Sequence, residues 1–292
     1  MRAVKENAYA KINLFLDVTA KRSDGYHDIN TVMHSVSLCD SLTVTVAPSR
    51  VSSVSLRVVG NDRLVSDGKN LAVIAAKLYL ERTAKTAEVT IKLLKNIPVA
   101  AGLAGGSTDA AATLRALNKL FGHYLSERAL LELALELGSD VPYCLIGGTA
   151  VCTGRGEKIT PTYNPHLFAV IAVGDEYVST PMAYSALDRL YSNFDGSCMR
   201  VGEKLYSNIS SSLENKKIDT SSLYNIFEEV VFDVCPKSRE IKSKMYSLGA
   251  VSALMSGSGP SVFGIFATKN EAENAAEQLS KLGIRAWYAE TV

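Results

Sequence analysis

The first third of the chain alternates between strand-like and helix-like hydrophobic patterns. Apolar side chains at every second position predict four strands, over residues 7–18, 41–47, 54–59 and 88–94. Apolar residues at helical spacing predict a helix from Asn70 to about Leu80. Helices and strands are therefore mixed in this part of the chain.

The rest of the chain continues this mixture. After Pro98 a glycine-rich bend precedes a predicted helix through Leu120, and a second helix is predicted from Ser126, a capping serine, to Leu137 before Gly138. The elements predicted beyond them are short strands over 149–160, a strand over 167–173, helices near 181–191 and 236–248, strands over 250–255 and 261–266, a helix opened by the capping box Thr268 to Glu271, and a strand over 284–289. We therefore predict an α+β fold.

One stretch breaks the pattern. Residues 192–222 are rich in Ser, Asn and Lys and contain few large apolar residues, which predicts a loose excursion. We predict a domain boundary near residue 160, which gives an N-terminal domain of residues 1–160 and a C-terminal domain of residues 161–292.

Composition limits the partners that the chain can bind. Its 31 Lys and Arg nearly cancel its 30 Asp and Glu, so no overall positive field would hold nucleic acid or an anionic membrane. The N-terminus lacks the apolar core of a secretory signal, and residues 167–173 are too short to span a bilayer. No CxxC spacing indicates a disulfide framework or a zinc site among Cys39, Cys144, Cys152, Cys198 and Cys235. We expect a cytoplasmic protein with no nucleic-acid or membrane partner.

The glycine-rich bend is the most informative segment. Its glycines let the backbone curl around an anion, and the following helix presents unpaired amides at its N-terminus. It lacks the lysine of a P-loop and the spacing of a dinucleotide fold, and a simple turn before a small-residue helix would have the same composition. The phosphate-binding segment, as we call it, consists of Pro98, Val99, Ala100, Ala101, Gly102, Leu103, Ala104, Gly105, Gly106, Ser107 and Thr108.

Three motifs in order resemble those of the GHMP kinases, the superfamily of galactokinase, homoserine kinase and mevalonate kinase. They are KINLFLD at 11–17, the stretch from Pro98 to Ala110, and MSGSGPS at 255–261. Within that superfamily, RSDGYH at 22–27 and GSDVPYCLIGGTA at 138–150 resemble the kinases of the non-mevalonate (methylerythritol phosphate) isoprenoid route, which act on a cytidine diphosphate alcohol. The resemblance runs nearly from end to end.

The resemblance implies a fold, an activity and cofactors. The fold would be the two-domain GHMP kinase fold, with an N-terminal ribosomal-protein-S5-domain-2-like domain and a C-terminal ferredoxin-like domain. The activity would be phosphorylation of a small-molecule hydroxyl by ATP with Mg²⁺, whose protein ligands the sequence does not indicate. We expect a monomer or a weak homodimer.

The resemblance also assigns catalytic residues. Asp140 matches the family's catalytic aspartate, which would accept or orient the hydroxyl proton, and Lys11 matches the lysine that would stabilise the developing charge. Asn13 shares a strand face with Lys11 and is assigned to the substrate. Taken singly, Asp140 could be only a helix N-cap and Lys11 a solvated strand residue.

Substrate and nucleotide contacts follow in the same way. Tyr26 and His27 match the element whose aromatic ring stacks on cytosine and whose histidine reads its polar edge, and Tyr184 resembles the second aromatic. Without the family, a core tyrosine and a surface histidine after the turn at Asp24 and Gly25 would be the simpler interpretation. The residues matched to the adenine side are Asn70, Leu71 and Lys95, of which Asn70 could be a helix N-cap and Lys95 a solvated strand end.

Two departures and two alternatives remain. Ala100 and Ala104 stand where many members carry glycine, which would stiffen the phosphate-binding segment slightly. Another GHMP kinase for homoserine, mevalonate or a sugar would keep Lys11 and Asp140 but would not need the Tyr26–His27 pair. A non-catalytic nucleotide-binding module would keep the fold alone.

Overall fold

A computed structural model describes residues 1–59, 68–191 and 199–292. The helices and strands within these residues are β1 (Arg2–Lys21), β2 (His27–Pro48), β3 (Ser53–Val59), α1 (Leu71–Thr83), β4 (Ala87–Leu94), α2 (Gly105–Leu120), α3 (Glu127–Leu137), α4 (Val141–Ile146), β5 (Thr149–Thr153), β6 (Lys158–Pro161), β7 (Phe168–Val173), α5 (Thr180–Leu190), α6 (Met199–Glu214), β8 (Tyr224–Asn225), α7 (Glu228–Val234), α8 (Pro236–Ser247), β9 (Ser252–Met255), β10 (Val262–Phe266), α9 (Lys269–Lys281) and β11 (Arg285–Glu290), with a 3₁₀ turn at Thr220–Ser222.

The chain forms two compact units that are discontinuous in sequence. The first unit comprises Met1–Ala10, Cys39–Val99 and Ala104–Gly147, and the second comprises Lys11–Leu38, Ala100–Leu103 and Gly148–Val292. The long strands β1 and β2 each supply residues to both units. The edges of these units do not coincide with the domain boundary expected near residue 160, which stays a prediction.

The first unit packs helices on a sheet. Strands β3 and β4 are parallel and joined through α1, and β4 pairs antiparallel with β2, where Ser41 faces Leu94. Helix α1 lies on β3 and β4 and contacts α2, and α2 also contacts α3 and α4. Buried alanines at 110–112 let α2 approach its neighbours closely. The helix that begins at Gly105 is therefore held in the interior of this unit.

The second unit contains a ferredoxin-like arrangement. Its elements β7, α8, β9, β10, α9 and β11 follow the order β-α-β-β-α-β, and the strands lie side by side as β11-β7-β10-β9 in antiparallel pairs. Val170, Ile241, Met245 and Leu279 lie in the apolar core formed by the sheet with α8 and α9. The strands β9 and β10 flank the third glycine-rich motif at 255–261.

Most of the predicted elements are confirmed, including two helix caps. The side chain of Ser126 accepts a hydrogen bond from Ala129 N at the start of α3, and Thr268 and Glu271 form the predicted capping box of α9. The prediction of a loose excursion over 192–222 is wrong for its described part, because α6 occupies much of it. Residues 192–198 lie outside the described residues.

The sequence signal for α6 is a stripe of apolar residues spaced four apart. Leu205, Ile209 and Leu213 recur at that interval, and Ile209 and Leu213 are fully buried. Serine and asparagine dominate the composition between them, which is why composition alone indicates a loop. Strand β2 begins earlier than predicted because buried polar residues such as His34 and Ser35 hide the alternation.

Two other expectations concern cysteines and membrane spans. Cys39, Cys144, Cys152 and Cys235 are free thiols, and Cys198 lies outside the described residues. Within residues 1–59, 68–191 and 199–292, no helix has both the length and the apolar character that crossing a bilayer requires.

Candidate active site

Lys11 lies in the second unit, on the central part of β1. It is only 5% exposed, and its Nζ donates a hydrogen bond of 2.7 Å to Asn13 Oδ1. Asn13 Nδ2 donates in turn to Thr31 Oγ1 at 2.8 Å, and Thr31 donates to Phe15 O at 2.6 Å. The interpretation of Lys11 as a solvated strand residue is therefore wrong, because a relay of buried polar groups fixes its ammonium.

The first and third motifs meet beside Gly102, within the second unit. Ser256 Oγ donates to Gly102 O at 3.2 Å, and a Cβ built on Gly102 would overlap the Ser256 carbonyl oxygen. A Cβ on Gly257 would lie 2.8 Å from Gly102 O and 3.3 Å from Lys11 Nζ. Gly102 and Gly257 therefore let the backbone come close to Lys11, the residue that matches the family's catalytic lysine.

Asn225 is a site residue that the sequence did not indicate. It is buried at the end of β8, which pairs parallel with β1, and its Nδ2 donates to Met255 O at 2.7 Å and to Gly257 O at 2.8 Å. These hydrogen bonds hold the third motif in its curled form. A lone asparagine in a strand of two residues carries no sequence signal for this function.

Asp140 lies in the first unit, at the junction between α3 and α4. It occupies the N-cap position of α4 and is half-buried, but its side chain forms no capping hydrogen bond. Helix capping therefore does not account for this carboxylate. Its assignment as the catalytic aspartate stays a prediction.

The start of α2 has the form expected of an anion-binding helix end. Its N-cap residue, Ala104, makes no side-chain hydrogen bond to the helix, and Gly106 is exposed. The hydroxyl of Thr108 is buried and donates to Tyr9 O at 2.8 Å. Ser107, which is half-buried, is the hydroxyl that remains more accessible in this turn.

Three residues are matched to the adenine side, and the structure gives each of them a different environment. Asn70 caps α1 by accepting a hydrogen bond of 3.0 Å from Ala72 N, as its simpler interpretation predicts. Leu71 lies beside α2, since a Cβ on Gly106 would be 3.5 Å from Leu71 Cδ1. Lys95 is not a solvated strand end, because it is buried and paired with Asp40 and Asp109.

Ala100 and Ala104 both adopt left-handed backbone conformations, with φ of 53° and 56°. A side chain at such a position adds steric strain that glycine avoids. This geometry gives a physical reason why many GHMP kinases carry glycine at these two positions. It also yields a stability prediction.

We expect Ala104→Gly to leave the free energy of unfolding unchanged or to raise it by up to about 1 kcal/mol, because glycine adopts this φ without strain. Ala112→Gly is the matched control, since Ala112 is fully buried inside α2 and glycine there should lower stability by about 1 kcal/mol or more. Urea unfolding of both variants measures the difference. A loss at Ala104 as large as that at Ala112 would contradict the strain.

The turn before β2 presents Tyr26 to solvent. Asp24 accepts hydrogen bonds from the side chain of Arg22 and from Tyr26 N, at 3.1 Å for the latter. Tyr26 is 55% exposed, with the guanidinium carbon of Arg155 4.6 Å from its ring centroid, whereas His27 is only 8% exposed. The interpretation of a core tyrosine and a surface histidine is therefore wrong.

His27 is held by residues of α5. Its Nε2 lies 2.8 Å from Asp188 Oδ1, and its ring stacks on Tyr184 with 4.7 Å between centroids. Lys21 also bonds Asp188, at 2.6 Å. Burial would raise the pKa of Asp188, but hydrogen bonds from Lys21 and His27 outweigh it and lower that pKa. The second unit thus brings Tyr26, His27 and Tyr184 into one region, with Asp188 as a partner that the sequence did not indicate.

Comparisons with known proteins agree with these motifs. The family of GHMP kinases N terminal domains matches residues 70–148, and the family of GHMP kinases C terminal domains matches residues 208–285. A 4-diphosphocytidyl-2-C-methyl-D-erythritol kinase of Caldicellulosiruptor saccharolyticus is 44% identical over 278 residues, which cover 93% of this chain and 91% of that protein. The chain belongs to the GHMP kinases.

Two further similarities cover nearly the whole chain. A 4-diphosphocytidyl-2-C-methyl-D-erythritol kinase of Bacillus subtilis is 44% identical over 90% of this chain and 88% of its own length. A crystal structure of 4-(cytidine 5'-diphospho)-2C-methyl-D-erythritol kinase superposes with a TM-score of 0.79 at 33% identity, covering 98% of both chains. The predicted α+β, two-domain GHMP kinase fold is therefore confirmed.

Proposed function

We propose that this GHMP kinase phosphorylates the 2-hydroxyl of 4-diphosphocytidyl-2-C-methyl-D-erythritol with ATP, giving the 2-phosphate and ADP in the methylerythritol phosphate route. The name shared by its similar relatives, which match about nine-tenths of the chain at 44% identity, supports this substrate. The observation that carries the choice within the family is the exposed Tyr26 beside the buried, Asp188-bound His27. A flat ring next to an oriented imidazole suits a pyrimidine base.

The reaction assigns a different task to each catalytic residue. The substrate oxygen forms a bond to the γ-phosphorus as the bond from that phosphorus to the β–γ bridging oxygen breaks, and ADP leaves. Asp140 takes the hydroxyl proton or orients the hydroxyl. Its side chain makes no capping hydrogen bond to α4. Lys11, positioned by Asn13, stabilises the charge that develops on the transferring group.

ATP would bind through the phosphate-binding segment. The uncapped start of α2 supplies amides for the phosphates, with Ser107 as a hydroxyl donor, while Leu71 lies beside this turn. Magnesium would arrive as the Mg²⁺ complex of ATP and offset charge on its phosphates. The described residues contain no group of three or more His, Cys, Asp or Glu that could hold a metal ion.

The test is ADP release by the purified protein with Mg²⁺-ATP and one of four alcohols. We expect turnover with 4-diphosphocytidyl-2-C-methyl-D-erythritol and none with homoserine, mevalonate or galactose. Turnover on one of the other three would keep the kinase and reject the substrate. Absence of ADP release with all four alcohols, with ATP binding retained, would favour the non-catalytic nucleotide-binding module.

We expect Tyr26→Ala to raise the KM for the cytidyl substrate by about 10- to 100-fold with little change in the KM for ATP, because the substitution removes a stacking surface for the base. Tyr26→Phe is the matched control, since it keeps the ring and should keep the KM within about threefold. Steady-state kinetics with each substrate varied in turn measures both constants. An equal rise in both KM values would reject a contact specific to cytosine.

A further inference from the structure

A buried cluster of three charged side chains lies in the first unit, and we name it the Asp40–Lys95–Asp109 triad. Asp40 belongs to β2, Lys95 directly follows β4, and Asp109 lies in α2. Their exposures are 0%, 8% and 3%. Lys95 Nζ donates to Asp109 Oδ2 at 2.7 Å and also to Asp40 Oδ2.

The two carboxylates of the triad are not equivalent. Asp40 accepts hydrogen bonds from Asn96 N at 2.6 Å and Ile97 N at 2.8 Å in addition to that from Lys95. Asp109 Oδ2 accepts a hydrogen bond from Lys95, whereas Asp109 Oδ1 is buried without a hydrogen-bond partner. Because hydrogen bonds from donors favour the ionised form of a carboxyl group, Asp109, with fewer donors, is the better place for a proton.

The charge balance of the triad agrees with this assignment. Two ionised carboxylates and one ammonium would leave a net negative charge buried in the unit, which is costly. Burial raises the pKa of Asp109, the Lys95 ammonium opposes that rise and the Asp40 carboxylate adds to it, which brings the pKa to about 8. Lys95 and Asp40 are the charged groups that act on Asp109 among the described residues.

The triad is tied to both ends of the phosphate-binding segment. Asp40 holds the amides of Asn96 and Ile97, directly before Pro98, and Asp109 is the fifth residue of α2. Lys95 Nζ lies directly against the first residue of α2, because a Cβ on Gly105 would be 3.0 Å from it. The net charge of the triad therefore acts at the helix end where the nucleotide phosphates would bind.

We infer that Asp109 is a positioning residue for the nucleotide phosphates. Only while it carries a proton does Asp109 keep the triad uncharged and the start of α2 attractive to anions. The inference rests on the proposed ATP binding at this helix end. Loss of the proton places a buried negative charge in the first turns of α2, beneath the phosphates, and lets the two carboxylates repel each other across Lys95. Nucleotide affinity therefore falls as the pH rises through the value at which Asp109 ionises.

The experiment compares wild type with Asp109→Asn, which reproduces the shape of the protonated side chain without its titration. Isothermal calorimetry with a non-hydrolysable Mg²⁺-ATP analogue at pH 7, 8 and 9 gives the Kd directly. If only the protonated form binds, the Kd of wild type rises about tenfold between pH 7 and 9. The Kd of Asp109→Asn stays within about twofold over that range.

Asp17→Asn is the matched control. Asp17 is also a buried aspartate, but it lies in the second unit, and burial raises its pKa only to about 6. Its variant should follow the wild-type pH profile, because Asp17 is already ionised at pH 7. Nucleotide ionisation is the same for all three proteins and cancels in the comparison. An Asp109→Asn profile as steep as that of wild type, or a flat wild-type profile, would overturn the inference.

A nucleotide-free measurement separates this inference from the proposed function. A carboxyl whose pKa is raised in the folded state stabilises the fold below its unfolded pKa, and that contribution is lost as the pH rises through its folded pKa. The unfolding free energy of wild type should therefore fall relative to that of Asp109→Asn between pH 4 and about 8. Parallel stability curves would reject the protonated Asp109, whereas absence of nucleotide binding by wild type at every pH would reject the proposed function.

Discussion

Lys11→Met should lower kcat by at least about a hundredfold while the Kd for ATP changes by less than about threefold. The methionine keeps most of the volume of the buried side chain and removes the ammonium that stabilises charge on the transferring phosphoryl group. Asp140→Asn should lower kcat by a similar factor, because the amide cannot accept the hydroxyl proton. Single-turnover and steady-state kinetics with Mg²⁺-ATP and the cytidyl substrate measure both effects.

The controls separate catalysis from folding. Lys92→Met removes an exposed lysine of β4 and should leave kcat unchanged. Asn13→Ala keeps Lys11 but removes the acceptor of its 2.7 Å hydrogen bond, so we expect a smaller loss of kcat than in Lys11→Met. Wild-type turnover in Asp140→Asn would contradict the proton-accepting role of Asp140. Wild-type turnover in Lys11→Met would contradict the charge-stabilising role of Lys11.

Much of the fold can be predicted from local patterns. The helix with Ser126 as its cap, the capping box at Thr268 and Glu271, and the individual strands and helices of the C-terminal half follow from hydrophobic spacing and capping residues. Their ferredoxin-like arrangement is what the family resemblance implies. The division into compact units does not follow from local patterns, because β1 and β2 are each long enough to belong to both. No composition change marks the point where a continuous strand passes from one core to another.

The site shows a similar limit. Motif resemblance predicts Lys11 and Gly102, and the second unit places both against the third motif. Asn225, Asp188 and Asp40 could not be predicted, because their importance comes from partners far away in the sequence. Lys95 illustrates the same point, since a strand-end lysine gives no sign that two distant carboxylates bury it.

Gly102→Ala should lower the free energy of unfolding by about 3 kcal/mol or more and reduce kcat sharply even where the protein remains folded. Two costs combine at this position. Its φ of 77° strains any residue with a Cβ, by about 1 kcal/mol or more. The added methyl would also overlap the Ser256 carbonyl oxygen and lie 3.2 Å from Gly259 N, so the third motif must move.

Gly283→Ala isolates the backbone-strain part of this effect, without the steric overlap. Gly283 lies in the second unit as well, has a φ of 79°, and has nothing within 4 Å of an added Cβ. We therefore expect it to lose about 1 kcal/mol of stability and no kcat. Urea unfolding and steady-state kinetics on both variants measure the difference, and equal stability losses would mean that the backbone at Ser256 yields without cost.

The kcat of Gly102→Ala then decides whether Lys11 depends on that backbone. Because a Cβ built on Gly257 would lie 2.8 Å from Gly102 O and 3.3 Å from Lys11 Nζ, a displaced third motif should disturb the ammonium and lower kcat in parallel with stability.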